Sequence, residues 1–416
     1  MHYHLYDLYR QSLAPVNTTL DLVHDIVAHE KFPLSKTRYG RFRRAALETT
    51  IRLLKHYPKQ GFEYEPVTID DKTYPVIEEV MIEKPFCNLL RFRREGLPDD
   101  APKLLCVAAL SGHHATLARE TFGEFLKDHD VYVTDWLDAR DVPLSEGKFG
   151  YEEYVSYIIE FTEYLGPNNH LFAICQAAVP ALTAVSYMAK HNNPARPKSL
   201  TMMAGPIDIR VNPSEFSKKA AKISATMLKR FAIHKVPSRY DGAGRRVYPG
   251  TMQLGGFMSM NMKSHFEKHI QFFRDIVQGN VDDANKHRDF YDEYMAILDM
   301  DADFYLETMD RIFLDQHLPK GLMTYQGETI NCSDITDVAM LALEGENDDM
   351  ISLGQTEAAL HLCDNLPKNM KKYYIQKGVG HYGIFNGSKY RNEVAPKIKD
   401  WIKKHHDPSG PILIEQ

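Results

Sequence analysis

Short apolar runs alternate with amphipathic segments from Lys103 onward. "KLLCVAAL" precedes "HATLARETFGEFLKDH", "DVYVTDWLD" precedes "YEEYVSYIIEFTEYL", and "NHLFAIC" precedes "AAVPALTAVSYMAKH"; "SLTMMAGPID" then follows. Continuous apolar runs are typical of strands buried on both faces of a parallel sheet. Strands that alternate with helices build such a sheet with helices packed on both sides. The alternation therefore predicts the α/β fold class.

The alternation stops at about Val211 and resumes after a long helical stretch rich in Met and aromatic residues. The later strands are "DVAMLALEG" and "MKKYYIQKG", and "YPVIEEVMIEK" and "CNLLRFRRE" are strands ahead of Lys103. The simplest account is one sheet interrupted by a helical cap that lies over its C-terminal edge. We predict an N-terminal helical region at 1–60, a core in two parts at 61–210 and 326–405, a cap at 211–325 and a tail at 406–416.

Composition excludes several functional classes. The formal charge is −6 and the pI is near 6.3, so no basic field indicates a nucleic-acid or anionic membrane partner. No run approaches the roughly 18 apolar residues of a membrane span, and the N-terminus lacks a secretory signal pattern. The five cysteines are scattered without a CxxC pair, which argues against a disulfide framework or a metal site. We expect a cytoplasmic protein without metal or cofactor.

Three residues with catalytic potential follow predicted strands. Cys175 follows "LFAI", Asp348 follows "MLALEGEN", and His381 follows "YIQKGVG". Active groups collect at the carboxyl ends of the strands in such sheets. The order nucleophile, acid, histidine is that of α/β-hydrolases, which makes the α/β-hydrolase fold with an inserted cap the predicted architecture. Asp349 is an alternative acid at the adjacent position.

The strand-to-helix corner gives Cys175 its chemical interest. A side chain at that corner points away from the sheet, and the N–H groups at a helix N-terminus favour a thiolate. His381 would move the proton, and Asp348 would orient the imidazole. One oxyanion donor would be the backbone N–H of Gln176, and the other that of Leu110 or Ser111. In the usual nucleophile motif, glycines lie two residues before and two residues after the nucleophile. Here both positions are alanines, in the sequence A-I-C-Q-A.

Each of these residues also has a structural interpretation. Free cysteines are usually small core residues, which is the role predicted for the remaining four, namely Cys87, Cys106, Cys332 and Cys363. A histidine or aspartate after a strand is often only a loop residue. The coincidence of three residue types in one order at three strand ends favours the triad. The Met-rich "GGFMSMNM" indicates either core packing or a cap surface suited to an apolar, flexible substrate.

Several long blocks of the chain resemble one family. These blocks occur in the same order as in the intracellular polyhydroxyalkanoate (polyhydroxybutyrate) depolymerases. Along the chain they are "LSGHHATLARETF", "VYVTDWLDAR", "FAICQAAVPAL", "YPGTMQLGGFMSMN", "YDEYMAILDMDADFYLETMDRIFLDQHLPKG", "LEGENDDM" and "GVGHYGIFNGSKYR". The resemblance implies a thiol hydrolase of amorphous storage granules that releases 3-hydroxybutyrate oligomers and monomer. It places the nucleophile at Cys175, the acid at Asp348 and the base at His381.

Two other functions stay open at this point. A polyhydroxyalkanoate synthase-like acyltransferase would form the same acyl-cysteine and differ only in its acceptor. A catalytically inactive granule-binding protein would keep the fold without turnover. For either function, and for the depolymerase, the expected partner is the polyester granule, with an exposed apolar patch on the cap as the expected contact.

Overall fold

The computed structural model describes residues 2–29, 34–214, 218, 225–260 and 262–407. An eight-stranded sheet lies at its centre. In chain order its strands are β1 (Val76–Lys84), β2 (Cys87–Arg94), β3 (Lys103–Val107), β4 (Asp130–Trp136), β5 (Asn169–Ile174), β6 (Ser199–Met203), β7 (Ala339–Gly345) and β8 (Lys371–Gln376).

The order of the strands across the sheet is β1-β2-β4-β3-β5-β6-β7-β8. The β1–β2 and β2–β4 pairs are antiparallel, whereas the pairs among β3 to β8 are parallel. An antiparallel start followed by six parallel strands, with a sharp strand-to-helix turn after β5, is the α/β-hydrolase fold. The predicted fold class is confirmed.

Burial within the sheet explains the sequence pattern. Every residue of β4, β5, β6 and β7 is buried, as continuous apolar runs predict. The edge strand β1 is mostly exposed and carries Glu78, Glu79 and Glu83. Charged side chains along an exposed edge discourage pairing with another chain.

Along the chain, two helices precede the strands of the sheet and others connect one strand to the next. Two helices, α1 (His2–Ala28) and α2 (Arg38–Leu54), pack against each other ahead of the sheet. Between the strands, α3 (Tyr151–Leu165) follows β4 and packs against α4 (Ala178–Lys190), which follows β5. These helices match the amphipathic segments of the sequence.

The segment after β3 differs from the prediction. The sequence pattern predicts a single helix from His114 to His129, but the structure has a 3-10 turn at Ala115–Ala118 and a five-residue helix at Arg119–Gly123. A side-chain contact accompanies the early end. A longer helix would pair the Phe125 N–H with the Thr121 carbonyl, but that carbonyl accepts a hydrogen bond of 2.8 Å from the hydroxyl of Tyr390. The Phe125 N–H donates to the Phe122 carbonyl instead.

A mainly helical segment separates β6 from β7. Its described helices are α5 (Ala225–Phe231), α6 (Gly250–Met260), α7 (Met262–Gln278), α8 (Val281–Tyr294) and α9 (Ala302–Thr308). A π-helical turn at Met309–Leu314 follows. Three short antiparallel strands, His234–Lys235, Arg246–Tyr248 and Met300–Asp301, join these helices. We call this segment the cap, and its exact limits, 211–325, stay a prediction.

The last helix of the described residues is α10 (Ala395–His405), which packs against β6 and β7. Most of the predicted tail, from residue 408 onward, lies outside the described residues, as do residues 215–217, 219–224 and 261 of the predicted cap. Among the helices of the described part, none has the length and apolar character needed to cross a membrane.

Gly205 lies just after β6, where this strand end meets α4. A Cβ atom on Gly205 would lie 2.3 Å from the Cβ of Ala178. We therefore expect Gly205→Ala to lower the free energy of unfolding by about 1–3 kcal/mol, the usual cost of overpacking, in urea denaturation.

Gly255→Ala is the matched control. Gly255 lies within α6, and a Cβ there would have no neighbour within 4 Å. The higher helix propensity of alanine would raise the free energy of unfolding by up to about 1 kcal/mol. Equal changes in the two variants would contradict this account of the β6–α4 contact.

Candidate active site

Cys175 occupies the corner between β5 and α4. Residues Cys175–Ala177 form a 3-10 turn, and Cys175 has a φ angle of 51°. Such left-handed geometry costs an L-residue other than glycine roughly 1–2 kcal/mol, and strained backbone clusters at functional sites. Cys175 is half-buried, whereas its neighbours Ala173 and Ala177 are fully buried. Alanine is thus small enough for both flanking positions of this turn.

Asp348 and His381 form a buried pair above the same sheet edge. Asp348 Oδ2 lies 2.8 Å from His381 Nδ1. The other carboxylate oxygen accepts hydrogen bonds from the backbone N–H groups of Met350 at 2.9 Å and Ile351 at 2.8 Å. The adjacent Asp349 is exposed. Of the two adjacent acids, Asp348 is the one that contacts the histidine.

Backbone hydrogen bonds hold the acid and histidine loops together. The N–H of Glu346 donates to the carbonyl of Gln376, and the N–H of Asn347 donates to the carbonyl of Val379, both at 2.9 Å. These bonds extend the β7–β8 pairing beyond the strands. The relative position of the two loops therefore follows from the parallel sheet itself.

The charges of Asp348 and Cys175 act on the buried side chain of His381. Asp348 engages Nδ1, which leaves Nε2 as the ring nitrogen available to the thiol. Burial by itself lowers the pKa of His381, but the interactions with Asp348 and Cys175 raise that pKa well above its ordinary value. The surroundings thus favour the protonated form of His381.

The loop after β3 lines the same cavity as Cys175. The loop begins at Ala108, whose N–H donates to Thr134 Oγ1 at 3.0 Å and whose carbonyl accepts from Trp136 Nε1 at 2.8 Å. Leu110 and Ser111 line this cavity together with Gln176. The role of these residues as oxyanion donors stays a prediction.

A cavity of about 930 Å³ lies over Cys175 and His381. Residues of the cap form much of its wall, and most of these side chains are apolar. The apolar cap residues in the wall include Phe257, Phe290, Met300, Phe304, Met309 and Phe313. Phe257 belongs to the Met-rich "GGFMSMNM" stretch, so this stretch contributes to the cavity. The site can hold an apolar molecule next to the thiol.

Two contacts from the cap to the site had no signal in the sequence analysis. The side-chain amide of Gln253 donates a hydrogen bond to the carbonyl of Ser111. The ring of Tyr382, which follows His381, packs against the imidazole and against the ring of Tyr294 of α8, with ring centres 5.6 Å apart in both pairs. Gln253 and Tyr294 are distant in sequence from the loops that they contact. Of the three residues, only Tyr382 has a place in the sequence, directly after His381, that indicates proximity to the site.

The other four cysteines, Cys87, Cys106, Cys332 and Cys363, are buried. Burial raises the pKa values of the Cys87 and Cys106 thiols well above their ordinary value, so these two thiols stay protonated. The half-buried Cys175 alone among the five lines the cavity described above. The sequence prediction of four core cysteines agrees with this placement.

Comparison with known proteins identifies a family for the C-terminal half. Residues 204–406 match the family model described as "PHB de-polymerase C-terminus". This segment contains Asp348 and His381, and Cys175 precedes it. No curated protein sequence matches the chain.

Similar folds occur among solved esterases and lipases. Naproxen esterase (carboxylesterase NP) of Bacillus subtilis shares 14% identity, with 88% of this chain and 99% of that chain covered and a TM-score of 0.42. Monoacylglycerol lipase of Paleococcus ferrophilus shares 16%, covering 77% and 99%, with a TM-score of 0.43. A thermophilic esterase of Thermogutta terrifontis shares 13%, covering 80% and 100%, with a TM-score of 0.41.

The charge of Asp348 should control the protonation of His381. In Asp348→Asn the charge that raises the pKa is lost while burial, which lowers it, remains. We therefore expect the pKa of His381 to fall in this variant, as measured by NMR titration of histidine-labelled protein with the resonance assigned from His381→Gln. In the control Asp349→Asn, where the acid is exposed, the pKa should stay close to that of the wild type. An unchanged pKa in Asp348→Asn would contradict the assigned pair.

Proposed function

Because residues 204–406 match the model of the polyhydroxybutyrate depolymerase C-terminus, we propose that the chain is a poly(3-hydroxybutyrate) depolymerase that works through an acyl-cysteine. Cys175 is its nucleophile, His381 its general base and acid, and Asp348 the group that orients His381. The substrate is the polyester of amorphous storage granules, and the products are 3-hydroxybutyrate oligomers and monomer. The protein acts in the cytoplasm at the granule surface.

One observation carries the proposal. A half-buried thiol on a strained turn and a buried histidine line one largely apolar cavity, and the histidine bonds a buried carboxylate at 2.8 Å. A nucleophile, a base and an acid that orients the base are the catalytic groups of enzymes that transfer acyl groups. A thiol that served only in packing would not require a buried histidine paired with an aspartate in the same site.

Acylation begins with transfer of the Cys175 proton to Nε2 of His381. The thiolate attacks the carbonyl carbon of a backbone ester and forms a tetrahedral oxyanion. Backbone N–H groups of Gln176 and of Leu110 or Ser111 stabilise that oxyanion. When the intermediate collapses, the carbon–oxygen bond of the ester breaks and the leaving alkoxide takes the proton from His381. The acyl group remains on Cys175 as a thioester.

Deacylation uses water in the same geometry. His381 accepts a proton from a water molecule, and the resulting hydroxide adds to the thioester carbonyl. The carbon–sulfur bond then breaks, the acid is released, and the thiolate of Cys175 recovers the proton from His381. Throughout, Asp348 stabilises the imidazolium because its carboxylate is fixed by the N–H groups of Met350 and Ile351.

The walls of the cavity suit this class of substrate. A poly(3-hydroxybutyrate) chain presents methyl and methylene groups and uncharged ester carbonyls. Aromatic and Met side chains such as Phe304 and Met309 bury such groups favourably and adapt to a flexible chain.

The first test is acid release from native amorphous poly(3-hydroxybutyrate) granules. We expect release by the wild type and loss of about a thousandfold or more in Cys175→Ala, the scale seen when a catalytic nucleophile is removed. Cys332→Ala is the matched control, because that thiol is buried away from the cavity. It should retain acid release.

Other results would support the alternative functions. A wild type that binds granules without releasing acid would indicate a granule-binding protein. Transfer of the acyl group to an added alcohol, with no free acid, would indicate an acyltransferase. Undiminished release by Cys175→Ala would remove the assigned nucleophile.

A further inference from the structure

The Gln176 side chain is a buried amide whose polar atoms make no hydrogen bond within the described part of the chain. The residue is 6% exposed and lines the cavity beside Cys175. Neither its Nε2 nor its Oε1 has a partner among the described residues. Most buried polar side chains are hydrogen-bonded, and a buried amide without partners is costly. The amide therefore points to a ligand group that both accepts and donates a hydrogen bond.

Few groups of the proposed substrate have this property. The interior of a poly(3-hydroxybutyrate) chain offers ester oxygens, which accept hydrogen bonds but cannot donate them. The hydroxyl at the chain terminus does both. It can donate to Oε1 of Gln176 and accept from Nε2 at the same time.

Gln176 lies next in the chain to the residue that would carry the acyl group. When the terminal ester is cleaved, the acyl group bound to Cys175 is a single 3-hydroxybutyryl unit with a free hydroxyl on its third carbon. That hydroxyl is separated from the thioester carbonyl by one methylene group and the carbon that bears it. Gln176 directly follows Cys175 on the same turn, so its side chain and the acyl group extend from neighbouring positions. When an interior ester is cleaved, the same oxygen is an ester oxygen, and Oε1 of Gln176 stays unpaired.

We propose that the Gln176 side chain binds the free 3-hydroxyl of the terminal acyl unit and thereby directs cleavage to the hydroxyl end of the polymer. This inference rests on the proposed function and adds the direction of attack to it. Gln176 then has two roles. Its backbone N–H stabilises the oxyanion, and its side chain determines which acyl group is preferred.

The test compares two soluble dimers that share one leaving alcohol. In the first dimer, the hydroxyl of 3-hydroxybutyrate carries a 3-hydroxybutyryl group. In the second dimer, the same hydroxyl carries a butyryl group, which differs only in lacking the 3-hydroxyl. We expect the wild type to prefer the first dimer in kcat/KM by about tenfold or more, because a buried amide left unpaired disfavours the analogue. Gln176→Leu should abolish this preference, and Gln176→Glu, which keeps an acceptor, should retain more of it than leucine does.

The ratio of the two kcat/KM values separates recognition from general damage, since misfolding or a displaced oxyanion donor lowers both values alike. Thr308→Val is the matched control, because Thr308 also lines the cavity and its buried hydroxyl has no partner among the described residues. We expect that variant to keep the wild-type ratio.

Three results would overturn the inference. Equal use of both dimers by the wild type would remove the hydroxyl subsite, while leaving the ester hydrolase intact. A ratio unchanged in Gln176→Leu would assign the subsite to other residues. Failure to cleave either dimer, together with no acid release from granules, would overturn the proposed function as well.

Discussion

The strand-to-helix corner at Cys175 is the constraint on which the rest of the site depends. A positive φ angle at this residue turns the chain abruptly from β5 into α4 and lifts the thiol above the sheet edge. The turn is tolerated because the surrounding structure is tightly packed: Ala173 and Ala177 are fully buried, and Gly205 leaves room for α4. Backbone strain of this kind persists only where neighbouring elements enforce it.

The acid and the histidine reach the thiol through the sheet. Asp348 and His381 lie on loops that follow β7 and β8, and backbone hydrogen bonds between these loops set their spacing. The cap then encloses the site: the Gln253 side chain donates to the Ser111 carbonyl, and the ring of Tyr294 packs against that of Tyr382. A rigid sheet thus supplies the reactive groups, and the cap supplies the apolar walls.

Much of this arrangement follows from sequence because parallel strands bring their carboxyl ends to one edge. The apolar runs ending at Ile174, Gly345 and Gln376 predict the strands, and the residues after them meet in space. The early end of the helix at Gly123 could not be predicted in this way, because Tyr390, from a distant part of the chain, bonds the Thr121 carbonyl. For the same reason the contact of Gln253 with Ser111 and the burial of the Gln176 amide emerge only from the folded molecule.

The most direct test of a thiol mechanism is to trap its intermediate. Wild-type protein mixed with a 3-hydroxybutyrate oligomer is quenched in acid within the first turnover, digested, and examined by mass spectrometry. The account predicts a 3-hydroxybutyryl thioester on the peptide that contains Cys175, which hydroxylamine removes and which is absent from Cys175→Ser. Turnover of the oligomer with no acyl group on Cys175, or with the acyl group on another residue, would contradict it.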